Sequence, residues 1–310
     1  MPAPRRELPW FPGAILAALV LTAVFAAALA PHSPTAGDIT AKLIPPAWME
    51  RGSWEHPLGT DRFGRDVLSR IIYGSRISLL VSVIAIGVAG TFGTVLGLIS
   101  GYRGGLTDVI LMRLTDIALS LPIILIAVVM VAVSEPSFGN VILVIALLLW
   151  PRFARQIRGE TLSVKEQDFV ALAVVAGRSS AWIISRHIFP NVVPTLLVVA
   201  TLQVGYVILL EGTLSFLGVG VPPPSPAWGL MIADGRGFLA TAWWISLFPG
   251  LAMLLTVLAV NLMGDWLRDH LDPKLRQVGG RETVLVSADA VPVGPAVREA
   301  PARGAAGEGG

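Results

Sequence analysis

The chain has 310 residues, of which 54% are hydrophobic and 14% charged. Soluble domains carry about a quarter charged residues, so this composition excludes a soluble globular protein and predicts an integral membrane protein. A net charge of +2 without clusters of Lys or Arg beside aromatic residues argues against nucleic-acid binding, and the lack of cysteine excludes disulfides, thiolate metal sites and a cysteine nucleophile.

Apolar segments of membrane length follow one another along the chain. A helix needs about 20 mostly apolar residues to cross a hydrocarbon core about 30 Å thick. Six segments meet or approach this length, at about Gly13–Ala30, Ile77–Ser100, Val109–Val133, Val141–Trp150 running on toward Ala154, Val192–Leu217 and Ala242–Trp266. The fourth segment has the shortest apolar run and is followed by Pro151, so the sequence does not determine where this span ends. The sequence predicts an all-α membrane protein with six transmembrane helices.

The first apolar segment has two interpretations. Arg5 and Arg6 precede it, and the small residues Ala28–Ala30 are typical of a signal-peptide cleavage site. The stretch is longer than the ~7–15 residues of a signal h-region, and Pro31 is a poor residue to follow a cut. We therefore favour a membrane anchor.

Polar and small residues inside the segments are the next signal. Gly93 and Gly97 in the second segment form a GxxxG pair, which lets another helix approach closely; packing within the bundle is favoured over a dimer motif. Charged groups in a membrane face cavities or one another. Arg113 and Asp116 are three apart and could pair along one helix face. Glu211 could line a transport path or a subunit interface, or make a structural hydrogen bond to a neighbouring helix.

Lys and Arg residues orient the chain. Their excess falls on the N-terminus, the segments between the second and third and between the fourth and fifth spans, and the C-terminus, so these regions are predicted to be cytoplasmic. The six basic residues of the first outer loop are nearly cancelled by acidic ones. The end of the chain, 277–310, has a composition typical of a disordered tail.

The cytoplasmic segment 152–191 predicts two short helices. Ser163 to Glu166 fits a capping box, and Asp168 is a further N-cap candidate, so one helix would start near Gln167 and stop at Gly177. Ser179 or Ser180 could cap a second helix that ends before Pro190. The first helix is mostly small and apolar, so it needs cover from a partner or the protein's own helix ends, unless it lies on the bilayer surface.

Signatures of catalysis are missing. A P-loop needs Gly directly before its Lys, whereas Lys42, Lys165 and Lys274 follow Ala, Val and Pro. The four histidines show no recognised metal spacing, and no Ser lies in a nucleophile elbow. We predict no catalytic, cofactor-binding or metal-binding residue and no enzyme activity in this chain.

Several motifs carry a family resemblance. The spacing from Ala171-Leu172-Ala173 to Gly177 and on to Phe189-Pro190 resembles the "EAA" loop of permease subunits of bacterial ABC importers, with Ala171, Leu172 and Phe189 departing from the usual Glu, Ala and Leu. The segments HPLGTDRFGRDVLSRIIYGSRISLL (56–80), SFLGVGVPPPSPAWGLMIADGR (215–236), RHIFPN (186–191) and NLMGDWLRDHLDPKLR (261–276) are similar to the second permease subunit of the dipeptide/oligopeptide/nickel branch.

This resemblance implies a type I ABC importer permease fold with coupling helices. The chain would form half of a translocation pathway in the bacterial cytoplasmic membrane. Its partners would be a homologous second permease, two cytoplasmic ATPase subunits that bind ATP and Mg²⁺, and an extracytoplasmic substrate-binding protein. ATP-driven closure of the ATPases would rock the spans between inward-open and outward-open states.

The resemblance also assigns roles by position. Ala171, Ala173 and Gly177 would make the close contact with the ATPase, and Pro190, next to Phe189, would set the angle to the fifth span. Arg178 and Arg186 would pair with acidic groups on the ATPase or remain solvated. His187 is interpreted as a packing residue. The outer segment from His56 is predicted to fold around ion pairs such as Asp61 or Asp66 with Arg65, and could help receive the binding protein.

Domain bounds and alternatives complete the prediction. Residues 1–76 would hold the N-terminal segment, first span and outer loop, residues 77–271 the permease core, and residues 272–310 the tail. Peptides are the expected substrate class, with nickel or another small solute as the alternative. A secondary transporter would show an inverted repeat with paired broken helices, which the sequence does not display, and a scaffold protein would leave the motifs unexplained.

Overall fold

The computed structural model describes residues 9–133 and 137–271, and these residues are almost entirely helical. The predicted tail, 272–310, lies outside them. In chain order the α-helices are Trp10–Val24 (α1), Ala26–Leu29 (α2), Val67–Arg103 (α3), Gly105–Ser120 (α4), Ile123–Val133 (α5), Phe138–Lys165 (α6), Asp168–Val175 (α7), Ser180–Ile183 (α8), Phe189–Phe216 (α9), Trp228–Gly235 (α10) and Trp244–Leu271 (α11). An all-α fold is confirmed.

The membrane-length helices agree with most of the predicted spans. Four helices of the described residues are long and apolar enough to cross a membrane: α3, α6, α11, and the continuous helix Ser180–Phe216 that includes α8 and α9. The bent pair α4–α5 makes a fifth if it counts as one span. The helix of the first predicted span, α1, has only 15 residues, so a count of six is not established by helix length.

The third predicted span is broken. A single helix across Val109–Val133 is wrong, because α4 and α5 meet at 82°. Leu121 at the break has an extended backbone, with φ −78° and ψ 131°. Pro122 follows it, and proline disfavours helical geometry in the residue before it. Pro122 therefore indicates the break, although it lies within an apolar run that predicts one uninterrupted helix.

The fourth span continues much further than its apolar run. Helix α6 spans 28 residues with Pro151 inside it, so the helix whose end the sequence left open continues to Lys165, and residues 152–165 extend this helix instead of starting a loop. Its N-cap is Ser137, whose side chain accepts a hydrogen bond from the backbone N–H of Asn140. The polar half of α6 projects beyond the apolar half as one continuous helix.

Helices α3 and α6 form the centre of the fold through small residues. A Cβ at Gly93 would lie 2.4 Å from Trp150 O, and one at Gly97 would lie 2.7 Å from Ala154 O. Only glycine permits two backbones to approach this closely. The GxxxG pair therefore serves packing within the chain, as predicted, and Phe153 and Ala154 on the facing helix are fully buried.

The turns between long helices form a second packed region, the loop end, made of residues 30–66 and 218–243. Trp244 Nε1 donates a hydrogen bond to Thr60 O at 3.1 Å, and Trp228 Nε1 donates one to Ile71 O at 3.0 Å. Both indole rings are buried. These bonds join α11 to the loop before α3 and α10 to the start of α3, so the loop end is a folded cap on the bundle.

Candidate functional site

The segment after α6, together with the first three residues of α9, forms a folded object, residues 166–191, that we call the α7–α8 element. Helix α7 starts after Gln167 and its C-cap is Ala176, so the predicted start is confirmed. The predicted capping box is wrong, because Ser163 lies inside α6, and Asp168 is the first residue of α7 rather than its cap.

Gly177 ends α7 in the way the sequence predicts. Its φ of +72° is left-handed, a conformation that costs glycine little and other L-residues more. Gly177 N donates to Val174 O at 2.9 Å and Arg178 N donates to Ala173 O at 3.2 Å, which is the pair of bonds of a Schellman motif. A Cβ at Gly177 would meet nothing within 4 Å, so the backbone conformation, rather than crowding within this chain, requires glycine.

Helix α8 runs into α9 without a break. Ser179 caps it, accepting a hydrogen bond from Trp182 N at 3.4 Å. The prediction that this helix ends before Pro190 is wrong, because residues 184–188 form a π-helical turn that leads directly into α9. Proline lacks an N–H and is tolerated where the regular helical hydrogen bonding is already interrupted. Asn191 Nδ2 donates a hydrogen bond to His187 O at 2.7 Å, so this carbonyl keeps a partner.

One side of the α7–α8 element is anchored in the bundle. Its buried residues pack with the ends of α3 and α6 in an apolar cluster of Leu98, Ile157, Val164, Val170, Ala173, Ile183, Ile188 and Val192. Ala173 is 8% exposed and faces this cluster. Its small side chain therefore serves contact within the chain, whereas Ala171 is exposed.

The opposite side of the α7–α8 element is apolar and exposed. Leu172 is 69% exposed and Val175 86% exposed, and Val174, Trp182 and Phe189 add to the same exposed apolar set. Pro190 is exposed as well. Leu172 and Val175 are one turn apart on the side of α7 opposite its buried residues, so together they form an exposed apolar face on this helix.

Aromatic rings pack against Arg178 and His187 of the α7–α8 element. The Arg178 guanidinium lies 4.9 Å from the Trp182 ring centroid. His187 packs between Trp182 and Phe169, with ring centroids 5.0 Å and 5.8 Å away, which agrees with its interpretation as a packing residue. Arg186 is exposed and makes no salt bridge to any described residue.

Two ion pairs connect the broken span to α6 near this element. Asp108 on α4 accepts bonds from Arg158 Nε and Nη2, both at 2.6 Å, and Ser100 Oγ donates to the same carboxylate. Asp116 pairs with Arg155 at 2.6 Å, so its partner lies on α6 rather than at Arg113. Bidentate Arg–carboxylate pairs fix orientation as well as distance.

The two ion pairs could not be predicted from the sequence because each joins residues far apart in the chain. The sequence does show that each helix carries its two charges on one face. Arg155 and Arg158 share one face of α6, and Asp108 and Asp116 are eight apart on one face of α4. Arg113 is exposed on a groove of about 390 Å³ that the four charged residues also line.

Glu211 lies in the last two turns of α9 and is fully buried. Its Oε1 accepts a hydrogen bond from Ser215 Oγ at 2.7 Å, and Ser215 Oγ accepts one from Val221 N at 3.1 Å. Its Oε2 has no hydrogen-bond partner within 9–133 and 137–271. The residue therefore holds the turn after α9 to its own helix, and one carboxylate oxygen remains unused by these contacts.

The predicted ion pairs of the outer segment are present in part. Arg65 Nε lies 2.6 Å from Asp61 Oδ2, and both side chains are buried. Asp234 on α10 adds contacts to Arg62 at 2.9 Å and to Arg65 at 3.4 Å. Asp66 instead caps α3 through Ser69, so an Asp66–Arg65 pair is not formed.

Comparisons with known proteins agree with this architecture. The family model described as "Binding-protein-dependent transport system inner membrane component" matches residues 93–277. The dipeptide transport system permease protein DppC of Escherichia coli is 47% identical over 86% of this chain and 89% of the relative. DppC of Haemophilus influenzae is 45% identical over 84% and 88%, and the probable D,D-dipeptide transport system permease protein DdpC of Escherichia coli is 40% identical over 87% of each.

Several helices of membrane length define a multi-pass membrane protein with a folded element at one end of its bundle. The family match covers α4 to α11, including the α7–α8 element. The chain belongs to the binding-protein-dependent transport system inner membrane components, and it is a membrane permease subunit of an ABC importer.

Proposed function

We propose that this chain forms half of the translocation pathway of an ABC importer of short peptides, and that the α7–α8 element receives the force of ATP hydrolysis from a partner ATPase subunit. ATP and Mg²⁺ would bind to two such partners and not to this chain. A homologous second permease would complete the pathway, and an extracytoplasmic binding protein would deliver substrate.

The observation that carries the proposal is the two-sided character of the α7–α8 element. Its inner side is fixed by the buried cluster around Val170 and Ile183, while Leu172 and Val175 present apolar surface outward. A docking helix needs both properties, because a contact transmits movement only when it is rigidly joined to the moving body.

We assign the candidate residues different roles according to their exposure. Ala171 and Gly177 would lie against the ATPase with Leu172 and Val175, whereas Ala173 would act indirectly by seating α7 on the bundle. Phe189 and Pro190 would form the margin of the contact, next to the π-helical turn. Arg178 and Arg186 would pair with acidic groups on the ATPase, since described residues leave both without a salt bridge.

The charged pairs between α4 and α6 would carry movement from the α7–α8 element to the spans. Arg158 and Arg155 lie on the same continuous helix that leads to α7, and their carboxylate partners lie on the broken span. A displacement of α7 would therefore move α4 together with α6. Arg113 and Asp116, which are exposed, would line the pathway or the interface with the second permease, whereas the buried Glu211 would hold the turn after α9.

Docking is tested by placing a charge on the exposed side of α7. In a complex reconstituted with its ATPase subunits, Leu172→Glu and Val175→Glu should reduce co-purification of the ATPase and substrate-stimulated ATP hydrolysis by at least about 10-fold, because each buries an unpaired carboxylate in the contact. Gly159→Glu is the control: it adds the same charge on α6, where a Cβ meets nothing within 4 Å.

Wild-type co-purification and hydrolysis in both α7 variants would overturn the docking role. Loss in the Gly159→Glu control as well would show that any added charge at this end disrupts the complex, and would equally remove support for α7.

The substrate class rests on the names of the relatives, which are permeases for dipeptides, D,D-dipeptides and di/tripeptides. Its test is uptake of a labelled dipeptide by cells that lack their own peptide permeases and express this chain with its partner subunits. Uptake that depends on this chain and is competed by unlabelled peptides is expected. Nickel uptake without peptide uptake would replace peptides by the alternative cargo.

A further inference from the structure

Two of the four histidines come together at the loop end, although the sequence separates them. His32 follows α2 and His56 lies in the loop before α3, and their ring centroids are 4.7 Å apart. Glu55 adds a carboxylate, so that one ligand atom from each of the three residues lies within 4.8 Å of the others. This group has the residue types that bind divalent transition metals.

His56 is oriented by a buried carboxylate. Its Nδ1 lies 3.1 Å from Asp66 Oδ1, and Asp66 is 1% exposed. Since an ionised carboxylate only accepts hydrogen bonds, Nδ1 is the donor in this contact, and Nε2 is the ring nitrogen left to face a ligand. A carboxylate that fixes the tautomer of a histidine in this way is the usual outer support of a metal-binding imidazole.

His32 is positioned by the same cap. Its backbone N–H donates to Ser69 Oγ at 3.0 Å, and Ser69 Oγ donates to Asp66 Oδ2 at 2.7 Å. The Nδ1 atom of His32 is buried and has no hydrogen-bond partner among the described residues. Buried polar side-chain atoms are usually bonded, so this nitrogen points to a ligand that protein atoms do not supply.

The surroundings leave room for an ion. The three residues line a cavity of about 380 Å³, and Asp38 and Asp66 line it as well. Hydrogen bonds from the side chain and backbone of Thr40 hold the pKa of Asp38 below its ordinary value, which keeps negative charge beside the histidines. Ligands about 2.1 Å from a tetrahedral metal lie about 3.4 Å apart, and the exposed side chain of Glu55 is free to close the remaining distance.

We propose that His32, Glu55 and His56 form a binding site for a divalent transition metal of the zinc type, with Asp66 as its outer support. The ion would link the segment after α2 to the loop that precedes α3. This site is independent of the α7–α8 element and of the transported substrate. The metal would stabilise the loop end, because it binds the folded arrangement and finds no such arrangement in the unfolded chain.

The test uses the full-length chain, purified in detergent with a histidine-free affinity tag and stripped of metal with a chelator. Zn²⁺ is titrated in competition with a chromogenic chelator, and Co²⁺ is added separately to record the visible absorption of a four-coordinate ion. One equivalent of Zn²⁺ should bind per chain and raise the thermal unfolding temperature. His32→Asn and Glu55→Gln should each weaken binding at least about 10-fold, since even loss of an outer-shell partner costs about 10–100-fold.

His187→Asn is the matched control, because His187 packs against aromatic rings elsewhere in the chain, and it should bind Zn²⁺ as the wild type does. Unfolding temperatures without metal identify any variant that is simply unstable, and Glu55, which is exposed, keeps the test valid if His32→Asn unfolds. Absence of stoichiometric binding in the wild type would overturn the proposal. So would unchanged affinity in the double variant His32→Asn/Glu55→Gln.

Discussion

At the scale of single residues, Gly177 shows what a sequence can establish. A glycine directly after a helical pattern predicts a left-handed cap, and the structure has that cap with both Schellman bonds. Asp108 and Arg158 show the opposite case. Fifty residues separate them, and neither charge has a local pattern that names its partner, so only the fold reveals the pair.

The Gly177 cap leads to a prediction that separates conformation from contact. Gly177→Val should destabilise the turn by about 1–2 kcal/mol, the cost of a left-handed conformation for an L-residue, and reduce substrate-stimulated ATP hydrolysis in the assembled complex. Gly177→Asn should retain more activity, because Asn tolerates this conformation better. Thermal unfolding and ATPase assays of the two variants check this, and equal losses in both would show that side-chain volume, not backbone conformation, is limiting.

At the scale of helices, apolar pattern predicted where most membrane-length helices lie but not where they bend or end. Pro122 breaks one span into α4 and α5, whereas Pro151 lies inside the continuous helix α6. A proline's effect depends on whether neighbouring groups can replace the lost hydrogen bond, and this information comes from tertiary packing. The same limit applies to Pro190, which follows a π-helical turn instead of ending a helix.

The contact between α3 and α6 gives a prediction with a control on the same helix. Gly97→Leu should destabilise the protein strongly, by at least the ~1–3 kcal/mol typical of overpacking, because a Cβ there would lie 2.7 Å from Ala154 O. Gly87→Leu should be tolerated, because a Cβ at Gly87 meets nothing within 4 Å. Yield and unfolding temperature in detergent are the measurements, and comparable stability of the two variants would contradict the packing described for α3.

At the scale of the whole molecule, α3 connects the two ends of the protein. Its 37 residues span about 55 Å, well beyond a hydrocarbon core about 30 Å thick. Its first turn is capped by Asp66 at the loop end, and Leu98 near its other end belongs to the cluster beneath the α7–α8 element. Composition and the length of the apolar segments predicted a membrane helix bundle. That one helix joins the loop end to the α7–α8 element could be learned only from the structure.

The proposed orientation places the α7–α8 element in the cytoplasm and the loop end outside. The chain contains no cysteine, so single cysteines report their own accessibility. In intact cells, Thr35→Cys should react with a membrane-impermeant maleimide, whereas Ser180→Cys should react only after the membrane is opened. Both positions are exposed in this chain, and the reverse labelling pattern would invert the topology.

The central claim, that the exposed side of α7 contacts the ATPase, is tested most directly by cross-linking. Val175→Cys is introduced into the assembled complex and treated with a short thiol-to-amine cross-linker, with Thr35→Cys at the loop end as the control. The account predicts a covalent product between Val175→Cys and an ATPase subunit, changing in yield with ATP, and none from the control. No ATPase product from Val175→Cys in an active complex would contradict it.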